Sequence, residues 1–445
     1  MRKSNLKRNT LLGIPAVIVL AVVLYQIPAI HARLSWRVED LQAKIKYALN
    51  PPDEAIFVPE EVPVNTPVSS ATNVPPTATP EGPTATAAPT IPPTAAPTSL
   101  PDFVSLDGVV YVDQHGRWNY CGPANLTMAL KFWDWPGNRD DIARVIKPGI
   151  QDPSLEFIQQ GRSDKNVMPY EMANFVIDET DFNVVVRYGG DNELLRRMIA
   201  SGFPVLIEKG YYEADYTGKV AWLGHYLFVT GYDLAADEFI VQDAYLKPGE
   251  NLRVSGEEMI DGWRSFNYLF MLIYPPDREG ELFEALGPYL DPAWSSLRAL
   301  ELSEVEIETQ EGINEFFAWF NKGTSHVKLQ QYVDAAAAYD NAFTLYARLG
   351  TGDSERPYRI MWYQTGPYWA YYYSARYLDV INLANTTLYD TISEPTLEES
   401  FYWRGQAYLA AGENGRAVDD FREAVRLNPY FGAALNALAQ LGLGP

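Results

Sequence analysis

The sequence predicts an α+β domain followed by an all-α domain of helical repeats, both standing behind an N-terminal apolar helix and a proline-rich linker. Three observations carry this expectation. Within residues 102–276, segments with one apolar face at helical spacing come first and short apolar runs bounded by turn residues come after, the order of an α+β domain. Within 313–442, glycine, alanine and aromatic residues recur at the spacings of paired helices. From 51 to 101 the composition turns to Pro, Thr and Ala, as in NVPPTATPEGPTATAAPTIPPTAAPTSLP, which cannot bury a core.

Taken in chain order, residues 1–10 carry Arg2, Lys3, Lys7 and Arg8 and read as a cytoplasmic tail. Residues 11–30 are uncharged and mostly apolar, roughly 30 Å of helix and long enough to span a bilayer. The charge step at its N-terminal end places the tail inside and everything that follows outside. The expected location is therefore a cell membrane, single-pass, with the remaining domains extracytoplasmic. A cleaved signal peptide is the rival reading, although Ile30-His31-Ala32 is a poor small-x-small site. In 31–50, Leu34, Val38, Leu41, Ile45 and Leu49 mark an amphipathic helix. It suits pairing with another copy, lying on the membrane or simply continuing the anchor helix. The 51–101 tract tends toward extended polyproline II and reads as a stalk, with a reach on the order of 100 Å at about 3.1 Å per residue.

In the α+β segment, Leu126, Ala129, Leu130 and Trp133 give one buried face to a helix that starts at Cys121. Helices are expected at 140–146, 169–177 and 192–200. Strands are expected at 182–188, 204–208, 225–232, 239–243 and 268–274, the last ending at Pro275-Pro276.

Cys121 is the single cysteine of the chain, so no internal disulfide is possible. Gly122 and Pro123 suit the first turn of a helix, where a proline lacks no bond it would otherwise make. The partial positive charge there favours thiolate, and cysteines so placed titrate at about 3.5 to 7.5 instead of about 8.5. The four histidines are His31, His115, His225 and His326. His115 lies six residues from the sulfur but in a loop crowded with turn residues, whereas His225 opens the apolar strand HYLFVTGY. A hairpin turn centred near Ala235 sets Asp243 opposite Leu227, on the same face as His225, with backbones about 7 to 8 Å apart. Spacing thus nominates Cys121 as nucleophile, His225 as base and Asp243 as the acid that orients the ring. Gln114, just upstream, is placed to offer its amide to a developing oxyanion. Taken singly, a buried cysteine, a core histidine, a turn-capping aspartate and a solvent-facing glutamine are each ordinary; their occurrence in this order is not.

The runs QHGRWNYCGPA and GHYLFVTGYD, with a following strand that ends in Asp, resemble the bacteriocin-processing (double-glycine leader) cysteine peptidases of papain-like fold, particularly their stand-alone relatives. The resemblance covers about Val104 to Pro275. It implies a papain-like domain with Cys121 as nucleophile, His225 as base, Asp243 as orienting acid and Gln114 in the oxyanion hole. The chain departs from that pattern at Tyr120, where leader peptidases usually carry Asp, and at Ala244, where Pro is common. It also lacks the ATP-driven exporter to which such peptidases are often fused.

Beyond it, 11 acidic residues against two arginines between Asp277 and Glu315 make 277–312 an acidic connector, a linker or solvated face. Gly405, Tyr408, Ala417, Phe421, Ala424 and Pro429 then fall at the spacings of a tetratricopeptide repeat. Trp319, Gly323, Ala335, Tyr339 and Ala342 form an earlier copy, and an aromatic-rich degenerate unit lies between them. A formal charge of −22 argues against a nucleic-acid partner. No GxxxxGK[ST], HExxH, GxSxG or CxxC appears, so no cofactor or metal is expected. The reading is a membrane-anchored extracytoplasmic cysteine peptidase that cuts a peptide or protein substrate, with repeats that recruit substrate or a protein partner. The alternative is a non-catalytic peptide-binding scaffold.

Overall fold

The computed structural model describes residues 56–59, 100–117, 119–147, 165–214, 220–350, 356–390 and 397–444. The predicted span 11–30, the amphipathic helix 31–50 and most of the Pro/Thr/Ala tract lie outside these residues. Among the described residues no helix is long and apolar enough to cross a membrane.

Seven strands form one antiparallel sheet: β1 (Phe103–Ser105), β2 (Asn183–Arg187), β3 (Val205–Ala214), β4 (Val220–Asp233), β5 (Glu238–Gln242), β6 (Leu252–Ser255) and β7 (Phe270–Tyr274). Their order is β2-β7-β3-β4-β5-β6, with β1 paired to β4. Strand alternation divides the core between the two faces. Leu206, Tyr226 and Phe228 point toward α1 (Cys121–Lys131), α2 (Arg139–Ile146) and α3 (Pro169–Glu179). Ile207, Leu227 and Val229 point toward α4 (Asn192–Ala200), α5 (Gly256–Arg264) and α6 (Glu279–Leu286). The helix starts follow side-chain caps: Asn138 accepts from the amides of Asp140 and Asp141, Asp191 from Leu194 and Ser255 from Glu258.

β3 and β4 run further than the sequence suggests, pairing out to Ala214 and Val220, so His225 lies inside its strand instead of opening it. The extra length forms an arm that carries Trp222 into a cluster with Phe266, Phe317 and Tyr363. On this arm Gly210 and Gly224 face each other across the strands. A Cβ at Gly224 would stand 2.6 Å from both the Phe266 and Tyr363 rings, so glycine is what lets the helical domain approach this closely.

The helical domain is built from α7 (Pro292–Thr309), α8 (Ile313–Lys328), α9 (Tyr332–Arg348), α10 (Gly366–Tyr373), α11 (Tyr377–Asn385), α12 (Glu398–Ala410), α13 (Asn414–Leu427) and α14 (Gly432–Gln440). Small residues on one helix receive aromatics from the next: a Cβ on Gly323 would meet the Tyr339 ring at 2.7 Å, and one on Gly405 the Phe421 ring at 2.7 Å. The 277–312 stretch corrects the expectation of a linker or solvated face. It is largely helical, and α7 buries Ser295, Ser296, Ala299 and Ser303, a small-residue face that its acidic content hides from a composition count.

The helical domain is docked on the α/β domain. Asn321 Nδ2 donates to Arg264 O at 2.7 Å, Gln364 Nε2 to Ser265 O at 2.7 Å and Asn267 Nδ2 to Ser325 Oγ at 3.0 Å. Arg264 pairs with buried Glu306 at 2.8 Å, and buried Lys165 pairs with both Glu171 and Glu398. A second correction concerns the 51–101 stalk. Phe57 is buried in the helical domain, 5.1 Å from the Phe343 ring centre and 6.0 Å from that of Tyr371. At the other end, Tyr232 donates to Pro101 O at 3.0 Å. An apolar Ile-Phe-Val-Pro run before the polar tract is thus part of the folded body, because burying its phenylalanine outweighs leaving it solvated.

Candidate active site

Cys121 is the first residue of α1, and no side chain caps the turn it opens. Asn125, one turn on and fully buried, donates from Nδ2 to Cys121 O at 2.9 Å and to Tyr226 O at 3.0 Å. This fixes the helix start against β4, one residue from His225. The sulfur is half-buried.

His225 is buried, and its Nε2 lies 2.9 Å from Asp243 Oδ1. Asp243 is itself held by the amides of Tyr245 at 2.8 Å and Leu246 at 3.1 Å. The pairing has an instructive origin. The β4–β5 turn spans Leu234 to Asp237, and a bulge between Val229 and Gly231 then shifts the register so that Phe228 faces Gln242. Continuing one residue sets Leu227 against Asp243, so a turn half a residue from the expected centre and a one-residue bulge together give the expected register.

The charges in this group support one another. Burial pushes the Cys121 thiol up, but the hydrogen bond and charge of His225, a backbone hydrogen bond at Tyr226 and the charge of Lys147 bring it below its ordinary value. Burial pushes His225 down, yet the charge and hydrogen bond of Asp243, with those of Cys121, raise it to about 10. Burial acts against the Asp243 carboxylate, whose pairing with His225 and two amide hydrogen bonds nonetheless hold it at about 2. At neutral pH the arrangement favours imidazolium and carboxylate, and it shifts Cys121 toward thiolate relative to an ordinary cysteine.

The main chain of Gln114 is tied next to Asp243, its backbone N–H donating to Ala244 O at 2.8 Å. Its Oε1 is buried and accepts no hydrogen bond. His115 is engaged elsewhere, stacked on Tyr245 with ring centres 6.3 Å apart and 3.6 Å from Asp113. Sequence reasoning passed over three contributors. Lys147, which donates to Asn119 O at 3.0 Å, is fully buried beside the cysteine turn. Tyr363 of the helical domain accepts from the backbone of Gly224, next to His225. Glu208, opposite Tyr226 on β3, is 2% exposed. Its signal was a lone acid in the apolar strand PVLIEKG, where alternation aims it inward. Among the described residues no three His, Cys, Asp or Glu side chains come together as a metal site would need.

Residues 106–270 match the model of the Peptidase_C39 like family, and residues 398–431 match the tetratricopeptide repeat. Two solved structures are similar. One is a putative C39-like peptidase from Bacillus anthracis, 16% identical, with 39% of this chain and 98% of that one covered and a TM-score of 0.30. The other is xylellain, a cysteine protease from Xylella fastidiosa, 18% identical, with 40% and 87% covered and a TM-score of 0.27. No curated protein matches the chain.

Proposed function

We propose that this chain, a C39-like α/β domain followed by a tetratricopeptide repeat region, is a cysteine peptidase. The observation that carries the reading is the hydrogen-bonded succession of half-buried Cys121 with buried His225 and Asp243. In the reaction, the Cys121 thiolate attacks the carbonyl carbon of the scissile amide, and its oxygen takes up the negative charge. Gln114, upstream of the cysteine, and the amides of the first α1 turn are the donors this reading assigns to that charge. The tetrahedral intermediate collapses as His225 gives its proton to the departing amine, leaving a thioester on Cys121. Water then loses a proton to His225 while adding to the thioester, and the acid product departs as the thiolate re-forms. Asp243 keeps the ring oriented through both steps and stabilises its imidazolium form whenever it carries the proton.

The finer reading adds a retained membrane anchor at 11–30, an extracytoplasmic position and repeats that recruit a substrate or protein partner. It rests on Arg2, Lys3, Lys7 and Arg8 before the apolar run and on the tetratricopeptide spacings. The test of the chemistry is active-site titration with iodoacetamide at pH 6, followed by a peptide-library digest with the unsubstituted chain and Cys121→Ser. Rapid alkylation and cleavage that Cys121→Ser abolishes are expected. A thiol that reacts only above pH 8.5, with no cleavage, refutes the peptidase and leaves the peptide-binding scaffold. Protease shaving of intact spheroplasts tests the topology: the domains are lost if they lie outside and survive if they do not.

A further inference from the structure

A cavity of about 560 Å³ lies between the two domains, in the size range of specific ligand sites. Its lining reaches the candidate active site, because Glu208 lies across from Tyr226 and Tyr363 accepts from Gly224, the two chain neighbours of His225. The helical domain adds an aromatic part of the wall, with Trp369, Tyr402 and Trp403. Three ionisable groups besides tyrosines line the cavity: Lys328, Glu399 and Glu208. Lys328 lies over the Tyr188 ring at 5.0 Å and also feels Glu399. Glu399 accepts from Tyr170 at 2.7 Å. Glu208 is hydrogen-bonded to Tyr226, and among the described residues no lysine or arginine pairs with it. A buried carboxyl that feels His225, itself engaged by Asp243, but has no lysine or arginine partner among the described residues, in an aromatic-walled cavity, is the complement of a long side chain with an apolar stem and a positive head.

We propose that this cavity is a substrate-specificity pocket, built jointly by the two domains, that takes a basic side chain, arginine or lysine, and pairs its head with Glu208. The repeats then act inside the site by supplying its aromatic wall. Burial and the neighbouring Cys121 charge push the Glu208 carboxyl up against the opposing pull of Tyr226 and His225, and an arriving cation would favour its ionised form. The inference deepens the peptidase reading and rests on it only in calling the ligand a substrate.

Binding is therefore measured on full-length Cys121→Ser, which cannot turn over, with N-acetyl-arginine amide and its neutral isostere N-acetyl-citrulline amide as probes and tryptophan fluorescence as the readout. The arginine probe should bind roughly tenfold tighter or more, the usual margin for a hydrogen bond to a charged partner. Glu208→Gln should erase that margin, whereas Glu258→Gln, an exposed acid, should keep it. Trp403→Leu should weaken both probes and serves if Glu208→Gln does not fold. Equal binding of the two probes, no binding of either, or an arginine preference that survives Glu208→Gln overturns the pocket. Cleavage of peptides without discrimination between arginine and citrulline also sinks the pocket and leaves the peptidase standing. An arginine preference in a chain that cleaves nothing refutes the peptidase and leaves the pocket.

Discussion

Replacing Asp243 by Asn removes a charge from the active-site row while keeping an oxygen at hydrogen-bonding distance from His225. The rise of His225 from 6.5 to about 10 corresponds to about 5 kcal/mol in favour of the imidazolium. A carboxylate at 2.9 Å accounts for roughly 1 to 3 pKa units of such a rise. The Asn variant should therefore bring the titration of His225 down by about two pH units. Two measurements read this. The chain has four histidines, so imidazole NMR resolves His225 directly, with His225→Gln to assign it. The alkaline limb of kcat/KM for the best peptide should fall in parallel, since it reports the loss of the proton that the leaving amine needs. The pair also shapes stability. The His225 contribution is complete below 6.5 and is lost as pH rises through about 10. The Asp243 contribution is complete above 3.8 and is lost as pH falls through about 2. A His225 signal that titrates near 10 in Asp243→Asn, or near 6.5 in the unsubstituted chain, refutes the reasoning.

Three more outcomes are expected. His225→Ala should move the pH dependence of Cys121 alkylation upward, because it removes the hydrogen bond and charge that oppose burial, whereas His115→Ala should leave it in place; the reverse result would reassign the base. Gln114→Ala should leave alkylation unchanged and lower peptide turnover roughly 100 to 1,000-fold, the usual loss of one oxyanion donor, and equal damage to both measurements would make the glutamine structural. Gly224→Ala sets a methyl 2.6 Å from Phe266 and Tyr363 and should destabilise the docked domains by about 1 to 3 kcal/mol, read as a fall in midpoint on urea unfolding; an unchanged midpoint would mean that the interface is looser than described.

The elements that build the site were legible because each has a local signature. The cysteine helix shows its apolar face at Leu126, Ala129 and Leu130, and β4 and β5 show theirs as HYLFVTGY and FIVQD. The meeting of His225 and Asp243 was legible as register, although the bulge after Val229 has no marker strong enough to place it. What stayed hidden is what tertiary packing decides. The β3–β4 arm beyond His225 reads as a loop until Trp222 finds Phe317 and Tyr363 on the other domain. The acidic connector conceals a serine and alanine face that matters only once α8 lies against it. Glu208 and Tyr363 meet near Cys121 from positions 155 residues apart in sequence, and no spacing rule reaches that far.

The burial of Phe57 changes what the proline-rich tract can do. With Phe57 held at one end and Pro101 at the other, residues 60–99 join two points of the same body and add nothing to the distance between that body and the chain before Ile56. They work instead as a connector that keeps a small anchor near its seat. Such a linker makes the contact intramolecular, at an effective concentration set by its length and stiffness. A cut anywhere in the tract turns the same contact into one between two separate molecules, whose occupancy falls with dilution. Proteolysis of this tract would then separate the folded body, and the candidate site it carries, from the first fifty residues once Phe57 leaves its seat.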